Sequence, residues 1–87
     1  MKNKKYVLVE MFISYEDDEF EILKTKLFNN FENSEKELQK DMNNIIEELN
    51  NEKVPLLDKR REGNVYRLLT DWHTEYKFEI REEDFQD

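Results

Sequence analysis

Apolar and mixed positions alternate along residues 5–15, KYVLVEMFISY. Val7, Val9, Met11, Ile13 and Tyr15 fall on one side of an extended chain, and Tyr6, Leu8, Glu10, Phe12 and Ser14 on the other. Period two with this many β-branched and aromatic residues predicts a strand, apolar on one side and mixed on the other. In the next segment Phe20, Leu23, Leu27 and Phe31 recur at spacings of three and four, the mark of one helical face. Five carboxylates crowd into YEDDEFE, residues 15–21, just before that face. A helix start explains them, with Ser14, Asp17 or Asp18 as cap and the acids in a first turn where free N–H groups favour negative charge.

Asn29, Asn30 and Asn33 interrupt this pattern, and Ser34 with Glu37 reads as a capping box for a second helix. Its stripe is Leu38, Met42, Ile45, Ile46 and Leu49, ending at Asn50 and Asn51. In KVPLLDKRREG, Pro55 suits a first helical position and Gly63 a helix end, so a short third helix competes with an extended loop. Further on, Tyr76, Phe78 and Ile80 alternate with Lys77, Glu79 and Arg81. A hairpin follows, with Val65–Thr70 as partner strand and residues 71–74, DWHT, as the turn. The tail 82–87, EEDFQD, is expected to fray.

The predicted order is β-α-α-(short α)-β-β. That order gives a two-layer α+β domain, an antiparallel helix pair packed on a three-stranded antiparallel sheet. At 87 residues the chain is one domain, 1–87. Eleven aromatic residues set it apart from disordered chains, despite 41 % charged residues.

Charge changes the picture more than length does. The net charge is −8 and it is segregated. Residues 1–9 carry +3, residues 10–52 carry 13 acids against 4 bases, residues 53–81 carry 7 bases against 5 acids, and residues 82–87 carry −4. On the predicted helices Asp18, Glu21, Glu37, Asp41 and Glu48 lie beside or away from the apolar stripes, and few lysines offset them. Such a surface suits a partner with a basic groove. The same charge also serves solubility alone. Trp72, at the hairpin turn, is either folded over the core or an anchor for a partner. Ile22, opposite the first stripe, is either a lone exposed apolar residue or part of a dimer or partner contact.

Catalytic chemistry is sparse. There is no cysteine, the one histidine is His73 in the expected turn, and the one glycine rules out a glycine-rich phosphate loop. YEDDEFE lacks the alternating acids and central glycine of a calcium loop. No catalytic residue, cofactor or metal ligand is expected. No run approaches the roughly 20 apolar residues of a membrane span, and a cytoplasmic protein is expected. The main expectation is a non-enzymatic, acidic protein-binding module, of the phage- or plasmid-type inhibitor or accessory-factor kind. A second reading is a winged-helix-like DNA-binding regulatory or conjugation accessory protein, which would place Lys59, Arg60, Arg61 and Arg67 on nucleic acid. A third is a homodimeric structural protein.

Overall fold

The computed structural model describes the backbone of residues 2–86 and the side chains of residues 4–84. Its elements are β1 (Lys2–Ser14), β2 (Glu19–Phe28), α1 (Phe31–Asn51), β3 (Leu56–Glu62), β4 (Val65–Thr70) and β5 (Thr74–Gln86). The strands form one antiparallel sheet in the order β2-β1-β5-β4-β3, so the first and last strands pair at its centre. The helix leaves one edge strand, β2, and the chain returns at the other edge, β3.

This overturns the expected helix pair on three strands. Residues 19–28 are a strand because period two, interrupted once, imitates helical spacing. Phe20 and Ile22 face one side of the sheet. Leu23 is then an extra residue in a bulge, where Glu10 pairs with Lys24 and Met11 with Ile22. The slip moves the same face onto Thr25 and Leu27, and counting the bulge residue Leu23 between Phe20 and Leu27 gives spacings of three and four. The acids before it form a turn, with Asp18 in the left-handed region at φ 53°. Ser14 donates to Asp17 across that turn at 3.2 Å.

Residues 56–62 are likewise a strand. Gly63, at φ 59°, opens the two-residue connection to β4 with free space around its Cα, so conformation alone asks for glycine there. The hairpin of β4 and β5 is as expected, with its turn at Asp71–His73. Of the tail expected to fray, Asp87 lies outside the described residues and residues 82–86 are strand. They extend β5 alongside the start of β1, where Lys4 bonds Glu82 at 2.9 Å and Lys5 sits opposite Glu83. The basic start and acidic end of the chain are the two halves of one ladder.

The one helix is the strongest segment of the periodic pattern. Its start lies a turn earlier than the Ser34–Glu37 box: Asn30 is the cap, accepting from the Asn33 N–H at 2.8 Å. Ser34 is instead buried inside the first turns, its hydroxyl donating to the Phe31 carbonyl at 2.6 Å. At the other end Val54 N–H bonds the Leu49 carbonyl at 2.9 Å and Lys53 N–H bonds that of Asn50 at 3.1 Å, with Lys53 at φ 59°. That is a Schellman end, sealed by buried Leu49 and Val54.

Leu38 and Met42 from α1 pack on Leu8, Tyr66, Leu68, Phe78 and Ile80 from the three central strands. The mixed side of β1, not its apolar side, lies under the helix. Replacing Phe78, 1 % exposed, by Ala should cost about 3–5 kcal/mol through lost transfer energy and a cavity. Urea denaturation checks this, the midpoint falling with the slope unchanged.

Candidate protein-binding surface

A helix is roughly 10 Å across, and five strands spaced about 4.8 Å apart make a wider sheet with two faces. Alpha1 therefore covers one face in part and the other not at all. On the open face the register brings together Val7, Val9, Met11 and Ile13 of β1 with Phe20, Ile22 and Leu27 of β2. The β1 residues are half-buried by their neighbours. On the edge strand Phe20, Ile22 and Leu27 are 69 %, 55 % and 55 % exposed. Met11, Ile13, Tyr15 and Phe20 border a depression of about 270 Å³. Contiguous exposed apolar side chains on a small domain mark an interaction surface.

The other half of this face, on β5, β4 and β3, is charged. Arg67 donates to both oxygens of the Glu75 carboxylate at 3.3 Å, and the Tyr15 hydroxyl donates to Glu75 at 2.8 Å. That hydrogen bond raises the Tyr15 phenol above its ordinary value. Arg81 and Lys77 flank Glu79 at 3.3 and 3.9 Å, and Arg60 pairs with Asp58 at 2.5 Å. Across the open face Lys5, Arg60, Arg67, Lys77 and Arg81 match Asp58, Glu62, Glu75, Glu79 and Glu83 in number. The face is electrically neutral in a chain of net charge −8.

The acidic residues singled out from the sequence do not converge. Asp18 is in the β1–β2 turn and Glu21 on β2, so neither is helical. Glu48 is exposed on α1. Glu37 and Asp41 point at the sheet and are neutralised there: the Lys24 ammonium bonds Glu37 and, at 2.8 Å, Asp41, while Lys26 adds a contact to Glu37 at 3.4 Å. An anionic helical face built on these two residues does not exist. They hold the helix to the edge strand. Trp72 is 59 % exposed in the β4–β5 turn and is not folded over the core.

The basic residues of the DNA-binding reading are also divided. Arg60 and Arg67 lie on the open face, while Lys59 and Arg61 lie on the helix side, Arg61 stacked 5.0 Å over Tyr66. No recognition helix stands near them, because residues 56–62 are β3. The winged-helix order is absent.

Glu10 completes the Lys24 cluster and was not foreseen. It is 4 % exposed, opposite Lys24 on β2, and its Oε2 has no hydrogen-bond partner. Burial first, then a hydrogen bond to Asp41, pushes Glu10 up to about 8. Burial opposes ionisation of Asp41, but the bonds from Glu10 and Lys24 hold its carboxyl below the ordinary value. Lys24 holds Glu37 low as well. Among the described residues no group of three or more acids and histidines has the arrangement of a metal site. No helix among them is long and apolar enough to cross a membrane. Comparison with protein-family models, curated proteins and solved structures finds no match.

The raised Glu10 sets the sign of a pH effect. Its contribution to stability is complete below the ordinary carboxylate value of 4.5 and is lost as pH rises to about 8, because the unfolded chain gives up the proton first. Glu37 and Asp41, held low, act the other way and lose their contribution on acidification. Stability should therefore peak on the mildly acidic side. Glu10→Gln, which keeps a donor toward Asp41, should stabilise by on the order of 1–3 kcal/mol near pH 8 and far less near pH 5. Urea midpoints measured across this range check it. A wild-type midpoint that does not fall between those values would contradict it.

Proposed function

We propose that this protein is a non-enzymatic protein-binding module that works through the open face of its sheet, in the cytoplasm. One observation carries the reading: the continuous apolar side of β1, joined by Phe20, Ile22 and Leu27 of β2, lies on the face that α1 does not cover. Burying a Leu, Ile or Phe is worth about 1.5–3 kcal/mol each, so a chain that leaves three of them on one edge strand gains most by covering them. The neutral charge pairs beside them form a polar border of the kind that rims protein interfaces.

A second reading keeps the basic partner. Beside the β1–β2 turn a cleft of about 420 Å³ is bordered by Glu16, Asp17, Glu19 and Glu21 together with Phe20 and Trp72. No cation of the described residues pairs with these acids. A lysine or arginine of a partner would find both carboxylates and aromatic faces there.

Two double variants separate the readings. Ile22→Lys with Leu27→Glu should abolish association with protein while leaving the circular dichroism spectrum unchanged. Glu19→Lys with Glu21→Lys should leave association intact. The reverse pattern would favour the cleft, and no effect of either pair would remove both.

A further inference from the structure

We infer that the occupant of the open face is a second copy of this chain, stacked face to face about a two-fold axis; this rests on the protein-binding reading above. Electrostatics support it first. A chain of net charge −8 repels itself, yet the open face carries as many cations as anions, with Arg60–Asp58, Arg67–Glu75 and Arg81–Glu79 paired within it. Two copies can bring these faces together while the uncompensated acids stay outside, on the helices and turns. A strongly basic partner would gain little on a neutral face.

Area is the second support. The chain exposes 6167 Å², where a compact monomer of 10.8 kDa exposes roughly 5,500 Å². The surplus of roughly 600 Å² goes with an elongated shape, 48 × 25 × 20 Å, and approaches the ~800 Å² that each partner gives to a standard interface.

Geometry selects the mode. Pairing β2 edge to edge with its copy would need a regular edge, but the bulge at Leu23 interrupts it. Face-to-face stacking needs only the apolar surface. Its two-fold axis would run by Met11 and Ile22, which are register partners. Self-complementarity follows, each copy offering both a projecting Phe20 and the depression between Met11, Ile13 and Tyr15. The result is four layers, helix–sheet–sheet–helix, with the charged halves as rims.

The test is sedimentation equilibrium of the full chain over the micromolar to millimolar range, on the wild type and three variants. The wild type should be dimeric. Ile22→Lys and Met11→Lys should each weaken dimerisation by at least about 30-fold, the effect of losing one central anchor. Met11 lies on β1, an interior strand, so only a face contact can sense it. Glu47→Lys, exposed on α1, should leave the dimer unchanged. Circular dichroism identifies a variant that fails to fold, and Thr25→Lys on the same face then replaces it. A wild type that stays monomeric throughout overturns the inference, as does a dimer indifferent to the face variants. A monomer whose binding to another protein is still lost in Ile22→Lys would sink the dimer and leave the protein-binding reading standing. A monomer with no such loss would sink both.

Discussion

One helix has to serve a five-stranded sheet, and the rest of the structure follows from that shortage. Every strand presents two sides, and only the side toward α1 can be buried within the chain. The stripe of Leu38 and Met42 meets the central strands, and the core forms there. The opposite side of the sheet is left to cover itself. On β5, β4 and β3 it does so with ion pairs, of which Arg67, Glu75 and Tyr15 are the most enclosed. On β1 and β2 it does not, and the apolar residues stay at the surface.

The Lys24 cluster ties the helix to the edge strand. Lys24 lies at the edge of the covered face, among Glu37 and Asp41 of the helix and opposite Glu10 of β1. Three carboxylates against Lys24 and Lys26 leave a surplus of negative charge, and Glu10, raised first by burial, removes it by keeping its proton. The arrangement, partly exposed at Lys24, joins the helix to the edge strand. It also explains why Glu37 and Asp41 form no exposed acidic face: their charge is spent against the sheet. What remains exposed is gathered at the β1–β2 turn and along the outer side of α1.

Much of this was legible and some was not. The α1 stripe was plain because a long amphipathic helix repeats its pattern over several turns. The β4–β5 hairpin was plain because alternation on Tyr76, Phe78 and Ile80 is unbroken. Beta2 was misread as a helix, since a single bulge residue, Leu23, converts spacing of two into three and four. Beta3 reads equally as helix or loop because its side chains are mostly charged and exposed, and Leu57 is a second bulge. The pairing of the tail with the start of β1 had a visible signal in the opposite charges of the two termini, but sequence distance hid it. The two sides of β1 were sorted correctly. Which side would be covered could not be read, because that depends on how many helices exist. Ile22 was noted as an exposed apolar residue. Its companions Phe20 and Leu27, which their spacing places in a helical core stripe, share its face.

The central claim is that the apolar side of β1 is half-exposed in the isolated chain and covered when chains meet. Methionine oxidation reads this directly, since Met11 lies on the open face and Met42 beneath the helix. Peroxide treatment followed by peptide mass spectrometry should find Met11 reactive in dilute solution and increasingly protected as the protein is concentrated, with Met42 inert throughout. Reactivity of Met11 that does not change with concentration, or of Met42 that matches it, would contradict the account.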